Sequence, residues 1–408
     1  MPQQSAQTVV VNNAPYRRTI NNPVSTKTST RPIRVGFLYN AQIHQIPHSA
    51  SIAFELSLRH PDIQVTIIAP RLEQLHFIQD LAKRYPGHRC TYTSTNLPPL
   101  IQLICAVGRH RILETLGTLA FNRALFASFD ALVVPERTSL YLKRMGCQHV
   151  KFIHADHGIG DRARGFEARI RKFDFLLVQG QKQVDRLGDL EHIRTGRYAI
   201  TGYPKFDLFN RETRQQVRLF PNDNPVVLYN PHCHARLSSW KTMGENILDF
   251  FARSPSYNLI FAPHVKLFDR AGAMQESRFK PYWNAKNIVM DLGSRACVDM
   301  TYTLAADMYL GDVSSQVYEF LMIPRPCIFL NSHNAEWADD PNYLCWRCGP
   351  VLTDPHTLAD ALETAQATHA EYIEAQKAVS AYSYDAAAES TGGRAADAIA
   401  TYLSADRS

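Results

Sequence analysis

A chain of 408 residues with 45% hydrophobic content is long enough to bury two cores of ordinary domain size, which excludes a small disulfide-stapled scaffold. No apolar run approaches the roughly 18 residues that a membrane-spanning helix needs, and "MPQQSAQTVVVNNAPYRR" has no long apolar block behind a basic start, so a soluble, unexported protein is expected. The net charge of +6 is concentrated at one end: Arg17, Arg18, Lys27, Arg31 and Arg34 precede the first acidic residue, Glu55, leaving a nearly neutral body and arguing against a nucleic-acid enzyme with a basic groove.

Residues 1–31, rich in Asn, Thr, Ser and Pro, read as a disordered basic tail. Its arginines could graze an anionic membrane surface, or the tail could simply be solvated. From residue 32 short β-rich runs without alternation begin: "IRVGFLYN", "IQVTIIAP", "ALVVPE", "HVKFIHA" and "FDFLLVQG", separated by segments of helical spacing. Such runs suit strands buried on both faces, and strands alternating with helices imply right-handed crossovers and a mainly parallel sheet. A longer helical insertion occupies 97–129. After "YAITGYPKFDLF" and the polar "RETRQQVRLFPNDN", a second set follows: "PVVLYNP", "YNLIFAP", "NIVMDL", "DMYLGD" and "RPCIFLN". The predicted fold is α/β, with two Rossmann-like doubly wound domains over 32–215 and 222–380 facing across a cleft. A C-terminal helix within 381–408 is expected to pack back on the first domain.

Ligands in such sheets bind beyond the carboxyl ends of the strands, so the residues after each strand carry the argument. They are "HADHGIGDRARG", "TGYPKFD", "NPHCH", "APHVK" and "GDVSSQ". In the last, Ser314 and Ser315 would begin a helix over "SSQVYEFLM", where free N–H groups and hydroxyls favour a diphosphate. Glu319, four residues after Ser315, would lie on the same face and accept the hydroxyls of an adjacent ribose, unless Ser314 only caps the helix and Glu319 is solvated.

The segments "DHGIG", "TGYPKFD", "VVLYNP", "FAPHV" and "DMYLGDVSSQVYEFL" resemble, in order and approximate spacing, the CDP-glycerol glycerophosphotransferase family of teichoic-acid primases and polymerases, over roughly 130–332. The resemblance implies a GT-B architecture with a nucleotide donor held by the C-terminal domain and the acceptor on the N-terminal side. It puts the family's essential His-Gly histidine on His157, a second essential histidine on His264, and the Ser-Ser pair on Ser314 and Ser315, preceded by Asp312. The chain departs from the family at three places. Pro231, His232, Cys233 and His234 stand where Pro-Thr-Trp-Arg is usual. Asp156, His157, Gly158 and Ile159 replace Trp-His-Gly-Thr, and His264 and Val265 replace His-Pro.

On chemistry, His157 could take the proton of an acceptor hydroxyl, with Asp156 or Asp161 fixing its tautomer, while His264 would donate to phosphate oxygens as charge moves onto the leaving nucleotide. The expected donor site comprises Asp312, Ser314, Ser315, Glu319, His232, His234 and Lys266. Arg162, Arg164 and Gly158 are expected on the acceptor side; a solvated helix face is the alternative for the basic run "DRARGFEARIRK". Zinc is not expected on His232, Cys233, His234, Cys345 and Cys348, since adjacent residues rarely face one metal. The eight cysteines lie mostly in apolar segments, as reduced cytoplasmic thiols would. No glycine-rich dinucleotide loop follows "IRVGFLYN", and no cofactor is expected.

The expected activity is transfer of a glycerophosphate, another polyol phosphate or a sugar from a nucleotide-activated donor to a cell-envelope glycan or glycolipid, in the cytoplasm with peripheral contact at the inner membrane face. The alternative is a sugar-nucleotide 2-epimerase on the same two-domain plan, since fold alone does not separate them. A non-catalytic nucleotide-binding scaffold is a third reading, disfavoured by the presence of both histidines.

Overall fold

The unalternating apolar runs become parallel strands buried on both faces. In a computed structural model, the structure describes residues 31–108, 111–209, 218–268, 277–386 and 390–405. The first sheet contains β1 (Ile33–Leu38), β2 (Ile63–Ala69), β3 (Thr91–Ser94), β4 (Ala131–Val134), β5 (Lys151–Ala155), β6 (Phe175–Val178) and β7 (Tyr198–Ile200), in the order β3-β2-β1-β4-β5-β6-β7. The second contains β8 (Val226–Asn230), β9 (Asn258–Phe261), β10 (Ile288–Met290), β11 (Met308–Gly311), β12 (Cys327–Leu330) and β13 (Val351–Leu352), in the order β10-β9-β8-β11-β12-β13. Every pairing between neighbours in these two sheets is parallel.

The predicted α/β architecture holds, with three edge strands added, β3, β7 and β13. β3 is the polar "TYTS" and β13 has two residues, so neither carries the apolar run that marks a strand covered on both faces. In each sheet the order reverses once, between β1 and β4 and between β8 and β11, and crevices open at those switch points.

The basic tail expected over 1–31 lies, apart from Arg31, outside the described residues, as do residues 210–217 of the join between the sheets. The helix Thr391–Ala405 lies against the helix Ala50–Arg59 of the first domain. There Asp397 accepts from Arg59 at 3.0 Å and meets His60 at 2.8 Å. Asp207, from "TGYPKFD", accepts the N–H groups of Thr391 at 3.1 Å and Gly392 at 2.6 Å, supplying the partners that the first turn of a helix lacks. Gly202 in the same segment has φ +84°, and a Cβ there would come within 2.6 Å of the Asp385 carbonyl oxygen, so the close approach needs glycine.

The apolar core of the first domain takes in Met300 and Leu304 of the second, and the second domain's core takes in Ile159 and Tyr203 of the first. Among the described residues no helix is long and apolar enough to cross a membrane.

Candidate active site

His157 stands just beyond the carboxyl end of β5, and its side chain is 34% exposed, open enough to meet a substrate. Its Nδ1 lies 2.6 Å from the carbonyl oxygen of Pro135, which follows β4, the strand beside β5. A carbonyl can only accept, so Nδ1 carries the proton and Nε2 keeps its lone pair for the cleft, the tautomer a general base requires. Asp156 also holds the loop itself. Its Oδ1 accepts the His157 backbone N–H at 2.8 Å, and its carboxylate lies 3.5 Å from the Arg137 guanidinium. Its Oδ1 also lies 3.5 Å from His157 Nδ1, so it fixes the loop and backs the ring nitrogen that Pro135 holds at shorter range.

The segment Ile43–His48, directly after β1, packs over this histidine because β1 and β4 are neighbours at the switch point. The Gln45 amide Nε2 sits 3.4 Å from His157 Nε2. The rings of His44 and His48 lie 6.2 and 6.3 Å from that of His157, and His44 is also 6.2 Å from His264 across the cleft. Burial holds both imidazoles well below the usual histidine range, so they are neutral. The sequence reading missed this segment. The strand-end rule could have found it, since "IHQIPH" closely follows "IRVGFLYN".

On the second domain, His232 follows β8 and His264 follows β9, with ring centroids 5.4 Å apart. Each accepts a backbone N–H on Nδ1, from His234 at 2.8 Å and from Lys266 at 3.2 Å. Both therefore carry their proton on Nε2 and present it as a donor, the reverse of His157. Burial, then Arg162 and the neighbouring imidazole, push His232 down to about 2; burial, then Lys266 and Arg162, push His264 to about 4. The pair is neutral at physiological pH, with the positive charge beside it supplied by Arg162 and Lys266. Arg162, expected on the acceptor side, thus bears on the imidazoles of His232 and His264, whereas Arg164 is exposed and lends its carbonyl to Arg137. His234 is exposed and contributes its backbone N–H to His232.

The polar elbow after β11 divides into groups that face the cleft and groups that do not. Gly158 and Gly160, in the loop after His157, pass so close to Ser315 that a Cβ on either would stand 3.6–3.9 Å from its atoms, which brings the two strand-end loops together. Ser314 Oγ accepts the Gln316 N–H at 3.2 Å, and the helix Gln316–Phe320 is only five residues long.

Two expected donor contacts need correction. Asp312 is fully buried and accepts the backbone N–H groups of His232 at 2.7 Å and Ser239 at 3.0 Å; it anchors the loop that carries His232 and does not itself face a donor. Glu319 is 3% exposed, with Lys205 Nζ 2.7 Å from both carboxylate oxygens and the Tyr203 hydroxyl donating at 3.0 Å. Its acceptor capacity is committed to the first domain, so neither the ribose role nor the solvated alternative survives. Asp161 is likewise interdomain: it pairs with buried Lys182 at 2.7 Å, accepts from the Tyr318 hydroxyl, and accepts the Cys345 N–H at 2.9 Å.

His232, Cys233 and His264 bring potential ligand atoms within 4.8 Å of one another, while Cys345 and Cys348 are buried in the apolar core. The donor set does not fit a metal, because a ligand at Nε2 would require each Nδ1 to be protonated against the N–H it already accepts.

The two-domain fold is shared with the wall teichoic acid polymerase TagF (TM-score 0.59, 16% identity, 92% of this chain and 88% of that one). It is shared equally with the UDP-GlcNAc 2-epimerase from Neisseria meningitidis bound to UDP-GlcNAc (TM-score 0.60, 13% identity, 92% and 100%). At these identities the likeness establishes the GT-B fold. A search of curated proteins finds no significant match. The profile of CDP-glycerol:poly(glycerophosphate) glycerophosphotransferase matches residues 132–403, which include the post-strand loops carrying His157, His232, His264, Ser314 and Ser315 but not the Ile43–His48 segment. The chain therefore belongs to the CDP-glycerol:poly(glycerophosphate) glycerophosphotransferase family and is a transferase.

Proposed function

We propose that the protein transfers glycerophosphate from CDP-glycerol to a hydroxyl of a glycan or glycolipid acceptor, with His157 as general base. The observation that carries this reading is the opposition of tautomers across the cleft: a lone pair on His157 Nε2 faces a side lined by the N–H donors of His232 and His264. In the proposed step the acceptor oxygen bonds to the glycerol-bearing phosphorus, and the bond from that phosphorus to the bridging diphosphate oxygen breaks. CMP departs with the bridging oxygen, and the hydroxyl proton passes to His157 Nε2. His264 and His232, with Arg162, Lys266 and the hydroxyls of Ser314 and Ser315, would hold the diphosphate and its growing charge.

The epimerase reading has the fold in its favour, whereas the family profile supports the transferase. Incubation with CDP-glycerol and a poly(glycerophosphate) oligomer tests the proposal: CMP release should depend on the oligomer, and His157→Ala should lower kcat about 10²- to 10⁴-fold with donor affinity kept within about twofold. Conversion of a UDP-sugar without acceptor, or full kcat in His157→Ala, would refute it.

A further inference from the structure

Gln45 combines two features that the proposed reaction leaves unexplained. The residue is 6% exposed, with Nε2 on the lone pair of His157 Nε2 at 3.4 Å, and its Oε1 is buried without a hydrogen-bond partner among the described residues. The amide orientation follows from the histidine: Nδ1 of His157 gives its proton to Pro135, so Nε2 can only accept, and the atom facing it must be the amide nitrogen. Oε1 is then left as a buried acceptor with no donor among the described residues, and of the amides in that state Gln45 is the one whose nitrogen meets His157.

We propose that Gln45 is an acceptor-binding residue: in the free enzyme its amide occupies the place of the reacting hydroxyl, and on binding it gives its N–H and its unpartnered Oε1 to the hydroxyls of a polyol or sugar end. This rests on the assignment of His157 as the base. The contact with His157 is long, so an incoming hydroxyl displaces it at little loss. A primary amide holds one donor edge and one acceptor edge, which matches a pair of neighbouring hydroxyls, one accepting and one donating. The surroundings agree with an uncharged ligand end. His48, on the same segment, is buried and His44 half-buried, and burial keeps both neutral; of the nearby cations, Lys266 bears on His44 as well as on His264, and Lys205 on His44 and His48. The Ile43–His48 segment itself carries no charged side chain, and its neutral imidazoles and amide suit hydroxyl groups.

Two measurements test this. In turnover with CDP-glycerol and a poly(glycerophosphate) oligomer, Gln45→Ala should raise the acceptor KM about three- to tenfold, the worth of one neutral hydrogen bond, with donor KM within about twofold. An oligomer whose terminal secondary hydroxyl is methylated should suffer the same loss with the wild type and none with Gln45→Ala. Equal changes in both KM values, or the same methylation penalty in both proteins, would overturn the proposal. The second measurement needs no turnover: the imidazole ¹⁵N resonances of His157 are followed while the oligomer is added to the free protein. Gln45→Ala should itself move the Nε2 resonance and weaken oligomer binding about three- to tenfold. Unaltered oligomer affinity in the variant would overturn the role of Gln45 even if the transfer reaction proved to be a different one.

Discussion

His157, His232 and His264 are all post-strand histidines, yet the backbone around each ring assigns opposite chemistry: a carbonyl at Nδ1 makes an acceptor of Nε2, and an N–H at Nδ1 makes a donor of it. Asp312 shows the same control by the backbone. Complete burial pushes its carboxyl up to about 7 against the lowering effect of the His232 and Ser239 N–H groups. Its folded value lies above the ordinary 3.8, so between about pH 4 and 7 the unfolded chain gives up a proton that the folded protein retains. Stability therefore falls as pH rises through that window, by up to about 4 kcal/mol at this site. Urea unfolding of the wild type and Asp312→Asn at pH 4 and pH 8 isolates the contribution, because other titrations cancel in the difference. The wild type should lose stability relative to the variant at the higher pH; parallel behaviour would show that Asp312 does not titrate there.

Among the elements, "TGYPKFD" and the helix Gln316–Phe320 form one interdomain joint, through Tyr203 and Lys205 on one side and Glu319 on the other. The Lys205–Glu319 side chains are each 4% exposed, so removing one partner strands a buried charge. Lys205→Met should destabilise the protein by about 3–5 kcal/mol, and Lys205→Met with Glu319→Leu should recover most of that loss, since a buried pair contributes little net but a widowed charge costs much. Chemical denaturation of the single and double variants would decide it. A single variant within about 0.5 kcal/mol of the wild type would mean that water reaches this joint.

At the scale of the molecule, the two domains share apolar contacts through Met300, Leu304, Ile159 and Tyr203, and two buried ion pairs, Lys205–Glu319 and Lys182–Asp161, lie where the domains meet. The helix His369–Ser383 adds a further tie, packing on Pro341–Cys348 of the second domain and on Gln181–Asp189 of the first. Domains so coupled should unfold together. Calorimetry should give one transition whose calorimetric and van't Hoff enthalpies agree, whereas two resolved peaks would show that each domain keeps its own stability.

The α/β architecture and the line of post-strand loops were legible in the sequence because unalternating apolar runs report burial on both faces, and burial on both faces entails helical crossovers. His157, His264, Ser314 and Ser315 were legible for the same reason, since each closely follows such a run. Tertiary structure alone decided what those groups touch. Whether a carboxylate such as Glu319 faces a ligand or a lysine 114 positions away depends on contacts between domains, and local spacing is blind to these. The same holds for Gln45, 112 positions from His157 and brought to it only because the sheet order sets β1 next to β4 and β4 next to β5. Local periodicity records which face of an element is buried; the partner on the other side is set by strand order and domain docking, where distant segments meet.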